Sequence, residues 1–472
     1  MSTRKTNASA ATKKLIAGAM SSAWPHQTET LKFSVKQPLI MDTSDPGTGK
    51  TFAHIVSYAN DLLDGKAGRC LVVAPLTLLT AAWASDIERF TPHLSWSVAS
   101  AGKRKAAFDA SSDIVLINID GINDVQEPWL KGFTHLIIDE FTAYKHGSAR
   151  RTKKMMKLSK LKSITHKRLL SGTPNPKSVT ELWAPMYILD GGKSLGTSFS
   201  AFRNAVQTST QVGPSPNMRS WKDKPGITET VFHMIKQHVI RHEFEKVMTH
   251  VPANHKRYIT FNLSPKALAA YKKLETEAIL AFEDGSVASA VHAAALRTKL
   301  LQAASGAVYS STGYSVVDKQ RYSLVADLVE TEGKCVVAFN WKHQRDELAK
   351  EFAARGISFG VIDGDVSVKE RQSIIDAFQS GQLDVVLMHP KTGAHGITLT
   401  AGNATIFASP IYEADITKQF IARIYRGAQD KVTNTIFVEA SGTVERIVYE
   451  RNNANSVQME DLLASMSIRR SK

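Results

Sequence analysis

Short, uninterrupted apolar runs alternate with helix-like stretches from residue 37 to about 185, and the same rhythm returns from 333 to 440. The runs PLIMDT, CLVVAP, DIVLINI, HLIIDE and HKRLLSGT lack the in-out alternation of a half-solvated sheet. They therefore predict strands buried on both faces of a parallel sheet. CVVAFNW, SFGVIDG, DVVLMH, ATIFASP and TNTIFVE predict a second such sheet, again with helices between the strands. From roughly 186 to 320 the texture changes to helical stretches such as SPKALAAYKKLETEAILAFEDG, broken by turns at GGKSLG, VGPSP and DKPG. That region reads as helical insertions and the crossover between two lobes. The expected division is a basic flexible arm over 1–22, a first lobe over 23–250, a second over 251–455 and a tail over 456–472.

A length of 472 residues suits two cores better than one. No stretch approaches the 18 or so apolar residues of a membrane span, since even Leu71 to Ala84 is broken by Pro75 and two threonines. Cys70 and Cys335 each open an apolar run, where a small thiol packs in a core with no disulfide or metal implied. The formal charge of +15 attracts polyanions, nucleic acid before an acidic membrane surface. Arg4, Lys5, Lys13 and Lys14, with no acid before Glu29, make the N-terminal segment a loose basic arm.

Two motifs carry chemistry. Asp45-Pro46-Gly47-Thr48-Gly49-Lys50-Thr51 follows a strand and precedes the helical FAHIVSYANDLL. Glycines let backbone amides wrap phosphate oxygens, Lys50 reaches the outer phosphates of a nucleotide such as ATP, and Thr51 holds Mg2+. The strict pattern's first glycine is missing, because Ser44 stands there. Downstream, HLII ends in Asp139-Glu140, at the sheet edge where ligands of open parallel sheets collect. Asp139 there would steady the magnesium through water, and Glu140 would polarise the attacking water.

The order of segments resembles the Swi/Snf-like branch of superfamily two helicases and translocases, over residues 24 to about 440. The resemblance implies an α/β fold of two RecA-like lobes, each a parallel sheet flanked by helices, with helical insertions between and within them. In Trp24-Pro25-His26-Gln27, Gln27 matches the family's adenine-reading glutamine. VVAPLTLLTAAWASDIERF, with Trp83, is similar to its next motif, and DEFT with Lys145 to its acidic box. Ser171-Gly172-Thr173-Pro174-Asn175 resembles the segment coupling nucleotide state to nucleic-acid grip. VIRHEFEKVMTHVP, around Arg241, resembles the end of the first lobe. Gly364-Asp365 with Glu370-Arg371 and Phe378 resembles a middle motif, and Gly393, Gly396 and Thr400 mark a nucleic-acid-contacting one. The last motif runs from Gln419 to Gln429, where Arg423 and Arg426, three apart on a helix, would face one way toward a phosphate presented by the other lobe. Phe141 and Thr142 stand where the family commonly has Ala and His, and Ala428 replaces the glycine before the final glutamine. The compact length resembles bacterial and bacteriophage-encoded members.

From Arg150 to Arg168 the chain holds Arg150, Arg151, Lys153, Lys154, Lys157, Lys160, Lys162, Lys167 and Arg168 with no acid. Two readings stand: a solvated helix face, or a surface that tracks phosphates, with Lys153 and Lys154 central and Lys103-Arg104-Lys105 extending it. Few aromatics interleave, so backbone gripping is favoured over base stacking. The functional expectation is a monomeric, ATP- and Mg2+-dependent motor moving along DNA, duplex before single strand, without a membrane. It would act in the cytoplasm of a bacterium or phage-infected host, with mitochondrion or nucleus the alternatives for a eukaryotic chain. A strand-separating DNA or RNA helicase and an ATP-gated DNA-binding scaffold are the competing readings.

Overall fold

The computed structural model describes residues 10–172, 178–215, 218–283, 287–310, 313–393 and 397–453. The chain divides into two compact units that meet in sequence between Thr249 and His250. In the first, β1 (Leu39–Asp42), β2 (Arg69–Ala74), β3 (Trp96–Val98), β4 (Ile114–Asn118), β5 (Phe133–Asp139), β6 (His166–Leu170) and the later β9 (Val239–Ile240) form one sheet. Its order is β3-β4-β2-β5-β6-β1-β9, and every pairing is parallel.

Alternate residues of these strands feed two separate cores. Met41, Leu71, Val73, Val115, Ile117, Leu136, Ile138 and Leu169 face one side, against Met155, Leu189, Phe202 and Phe232 of later helices. Cys70, Val72, Ile114, Leu116, Ile137 and Leu170 face the other, against Ile55, Tyr58, Trp83 and Ile87. Because both faces are dry, the strands need apolar side chains at every position, which is why their sequences read as continuous runs.

Helix α1 (Ala10–Ser21) differs from the loose arm expected over 1–22, since Ile16 is buried in the second of these cores. Helix α2 (Pro25–Lys36) follows, and α3 (Lys50–Leu63) starts directly after the phosphate loop.

The region expected to be helical holds strands as well. β7 (Gln207–Gln211) and β8 (Arg219–Asp223) make an antiparallel hairpin in the first unit. In the second unit β10 (Asn254–Phe261) lies at a sheet edge, and β11 (Ala307–Ser310) with β12 (Gly313–Val316) forms another hairpin. QTSTQ, RSWKD and NHKRYITF carry mostly polar, exposed side chains, so apolar periodicity could not reveal them. Charged edge strands of this sort also resist unwanted pairing.

The second sheet completes its order, β10-β17-β16-β13-β15-β14, with β13 (Cys335–Ala338), β14 (Phe359–Ile362), β15 (Val385–Met388), β16 (Ala404–Phe407) and β17 (Thr433–Ala440), all parallel. Cys335 and Val337 face one core, Val336 and Ala338 another. Both cysteines are buried and unbonded, and burial pushes both thiols up. No helix among the described residues is long and apolar enough to cross a membrane.

Candidate nucleotide site

Asp42 of β1, Leu170 of β6 and Asp139 of β5 stand in register at the ends of neighbouring parallel strands, with Ile240 of β9 opposite Asp42. Parallel strands end on the same edge, so the loops after all four emerge together. They are the phosphate loop, the acidic pair, the Ser171 segment and the Arg241 segment.

Hydrogen bonds tie these loops into one body. Gly47 and Gly49 hold φ of 85° and 74°, the left-handed turns that curl the phosphate loop and that glycine adopts without strain. Lys50 sends its ammonium back across the loop, donating to the Ser44 carbonyl at 2.7 Å and the Asp45 carbonyl at 3.1 Å. Lys50 itself opens α3, whose first-turn amides and helix dipole favour an anion. Asp42 is fully buried, which by itself would push its carboxyl up. The hydrogen bond from His54 at 2.9 Å and its charge, then Lys50 and the Ser44 amide, outweigh burial and hold it well below the ordinary carboxylate range.

Ser44, the residue in place of the pattern's first glycine, is 1% exposed and accepts the His242 amide at 3.0 Å. Arg241 donates to the Thr43 carbonyl at 2.6 Å and to Asp45 Oδ1 at 3.0 Å, while the Phe244 amide donates to Asp45 Oδ2 at 2.9 Å. The phosphate loop is thereby clamped from behind by a segment nearly two hundred residues later. Gln27 closes the other flank: its Nε2 donates to the Gly49 carbonyl at 3.3 Å and its Oε1 accepts the Trp24 amide at 2.9 Å. A side chain at Gly49 would collide with Gln27 Nε2. His26 adds a bond to the Thr48 carbonyl at 2.8 Å.

Among the described residues Glu140 is the one non-glycine residue with positive φ, 58°. That sparsely populated conformation turns its carboxylate off the strand axis and persists because the surroundings hold it. Ser171 donates to Glu140 Oε1 at 2.9 Å, and Thr142 donates to the same oxygen. Thr142, a departure from the family pattern, thus orients the glutamate, and Phe141, the other departure, is buried in the core of the first unit. Asp139 accepts from the Trp83 indole at 2.9 Å. Gly172 lets its segment close on the loop, for a Cβ there would stand 2.8 Å from Pro46. Thr173, Pro174, Asn175 and Gly396 lie outside the described residues.

In the second unit Arg423 and Arg426 do not sit on a helix. The helix Ala414–Ile421 ends before them, and both arginines lie in the turns that follow. They converge because of that turn: Arg423 donates to the Gln419 carbonyl at 2.8 Å and the Ile397 carbonyl at 3.1 Å, and Arg426 donates to Thr398. Gln419 is buried, and its Oε1 has no hydrogen-bond partner among the described residues. Gln429 binds the carbonyls of Thr400 and Ile424 and accepts the amides of Asp430 and Lys431, so it shapes the motif's backbone. Thr400 is half-buried beside Gln379.

The basic run is smaller on the surface than in sequence. Lys167 and Arg168 belong to buried β6, donating to the carbonyls of Leu189 and Pro38. Arg151 is paired with Asp120, and Lys157 with Glu127. Arg150 and Lys153 are exposed and Lys154 half-exposed on the helix Arg150–Leu158.

Sequence reasoning did not single out Asp42, His54, His242 or the His26 contact. All four sat inside quoted runs, but nothing local told which partners they would meet.

The SNF2-related domain model matches residues 27–305, and the helicase conserved C-terminal domain model matches residues 320–428. Putative protein p41 of Acyrthosiphon pisum secondary endosymbiont phage 1 is 25% identical over 452 residues, covering 89% of this chain and 93% of that protein. The SWI/SNF-related matrix-associated actin-dependent regulator of chromatin subfamily A-like protein 1 of Xenopus laevis is 23% identical, over 92% of this chain and 43% of its own. An uncharacterized ATP-dependent helicase of Mycoplasma pneumoniae is 23% identical, over 85% and 38%. The chain spans less than half the length of these last two relatives. Among solved structures, the Sulfolobus solfataricus SWI2/SNF2 ATPase core in complex with dsDNA aligns over 95% of this chain and 96% of its own, at 19% identity and TM-score 0.44. The two matched domains, each falling on one of the two parallel sheets, mean that the chain belongs to the SNF2-related family of nucleic-acid-dependent, helicase-type ATPases.

Proposed function

We propose that this protein hydrolyses ATP in response to DNA and uses the cycle to move along a duplex. The observation that carries the reading is the convergence of Lys50, Asp139, Glu140 and Ser171 on one strand edge, with Glu140 held in a strained conformation by two hydroxyl donors. Lys50 and the loop amides bind the phosphates, and Gln27 stands where adenine is read. Thr51 and Asp139 supply the oxygens for Mg2+, a hard cation that suits carboxylate, hydroxyl and water ligands. Glu140 orients the attacking water. Arg423 and Arg426 are proposed to stabilise charge on the transferring phosphoryl group, and Ser171, Gly172 and Thr173 to pass the nucleotide state to the DNA grip.

Duplex DNA is favoured because Lys153, Lys154 and Arg150 offer charge without stacking rings, which suits phosphates rather than unpaired bases. Thr400 is a further contact in this reading. The similarity to a phage-encoded protein supports action in a bacterial or phage-infected cytoplasm, and a monomer is the form proposed. Steady-state ATPase activity measured with duplex DNA, single-stranded DNA and RNA at several salt concentrations tests it. Stimulation by duplex that fades steeply with salt is expected; a rate indifferent to DNA would refute it. Strand separation is the second reading, favoured by the β7–β8 hairpin of mostly exposed polar residues in the first unit, and a forked labelled duplex separates the two.

A further inference from the structure

Away from the nucleotide loops, the same sheet brings together three groups that the motor chemistry does not use. His135 of β5 and His166 of β6 are direct register partners on parallel strands, so both side chains leave the same face. Their rings stack with centroids 4.4 Å apart and planes 6° off parallel. Asp61, near the end of α3, packs over that face with its Oδ2 3.2 Å from His135 Nε2. One ligand atom from each of the three residues lies within 4.8 Å of the other two.

Both rings are oriented by the same local device. Each histidine follows a threonine, and the hydroxyl meets the ring at Nδ1: Thr134 with His135 at 2.9 Å, Thr165 with His166 at 3.0 Å. That leaves Nε2 of each ring for other partners, and His166 Nε2 has none among the described residues. His135 is 2% exposed, the Asp61 side chain 16%, and His166 is half-buried, so the cluster is walled on one side and reachable on the other. His135 stands four residues before Asp139 on β5, roughly 13 Å along the strand from the acidic pair.

We propose that Asp61, His135 and His166 bind a divalent transition metal, Zn2+ being the ion whose ligand chemistry fits best. Two imidazole nitrogens and one carboxylate oxygen, with a fourth position for water, is a ligand set zinc takes. Ligand atoms each about 2.0–2.1 Å from one tetrahedral ion stand about 3.3 Å apart. The Asp61–His135 separation already matches that edge; the His166 contact needs a closure of about 1.5 Å or less together with rotation of its ring out of the parallel stack, so that both in-plane lone pairs meet the ion. The threonine hydroxyls play the part of outer partners that fix which nitrogen faces the ion.

The electrostatics divide. Burial, then His135 and Arg168, push His166 down to about 4, and burial likewise lowers His135; both shifts favour the neutral imidazole that ligates a metal. Asp61 is lowered and anionic despite burial, through its bond to His135. Arg168, buried two residues beyond His166, is the opposing charge; burial lowers it to about 10, and it remains a cation that weakens the site relative to a closed four-ligand one. Since α3 begins at Lys50 and β5 ends at Asp139, an ion here pins the far ends of both elements that carry the nucleotide site.

The test is zinc titration of the full chain, stripped with chelator and held in excess Mg2+ without nucleotide, followed by calorimetry and by thermal unfolding. Wild type is expected to bind with one saturable site and to unfold at higher temperature with zinc. His166→Gln and Asp61→Asn, both at partly exposed positions, should each lose at least about tenfold in affinity, while His146→Gln retains it. Cobalt(II) gives a second readout, visible absorption that both variants lose. Folding of each variant is checked by circular dichroism, and Asp61→Asn on the helix surface stands in if His166→Gln fails to fold. No saturable binding by wild type, or variants that bind as wild type does, overturns the proposal and leaves the cluster as a packed hydrogen-bonded pair.

Discussion

Removing the Arg241 guanidinium tests whether the late strand β9 holds the phosphate loop in shape. Arg241→Met keeps the apolar stem but deletes the donors to the Thr43 carbonyl and to Asp45, which lies 196 residues away in sequence. The Arg241 side chain is 3% exposed and that of Asp45 is 23% exposed. Breaking a buried pair by deleting one partner costs about 3–5 kcal/mol, and the partial solvation of Asp45 places this case at the lower end, about 3 kcal/mol. For a unit of some 250 residues that is roughly 6–12 °C in unfolding temperature. Thermal unfolding of the full chain reads this directly, and the KM for ATP should rise because the loop loses its rear anchor. Asp45→Asn in the same background should recover part of the loss, with a coupling of about 1 kcal/mol or more. An Arg241→Met protein that unfolds within a degree of wild type, with unchanged KM, would show that the clamp contributes nothing and that the loop is shaped by its own glycines.

Glu140→Gln should bind ATP normally in an equilibrium fluorescence assay yet release phosphate at least about a hundredfold more slowly; retained turnover removes Glu140 from the chemistry. Asp42→Asn should destabilise the first unit at neutral pH, because the carboxyl is depressed in the fold. The sign follows from that depression: the contribution is present above the unfolded carboxyl's value near 4 and fades as pH falls below it, so the gap to wild type should close in acid unfolding series. Lys153→Ala with Lys154→Ala should leave DNA-free hydrolysis intact, weaken duplex binding, and reduce the log–log salt slope by about 2; an unchanged slope excludes the helix Arg150–Leu158 from the DNA path. Ser44→Ala leaves the buried His242 amide without its acceptor, so a loss of about 1–3 kcal/mol is expected in denaturant unfolding.

What the chain's own order of residues determined is what short-range chemistry can determine. Continuous apolar runs marked the strands, because a parallel sheet covered on both faces demands them. DPGTGKT and Asp139-Glu140 marked a candidate nucleotide site, because the residue types such chemistry needs lie within a few positions of one turn. The tertiary structure decided the rest. That Ser44 is an acceptor for His242, or that Arg241 grips Asp45, depends on β9 pairing beside β1, and no local pattern encodes which strand lies next to which. Lys167 and Arg168 looked like part of a basic surface, but their place in β6 buries them; charge in a sequence carries no record of solvent. Arg423 and Arg426 converge through a turn rather than through helical spacing, because the helix stops at Ile421. His135 and His166 meet only since their strands run parallel in register, a juxtaposition made by the sheet and invisible along the chain.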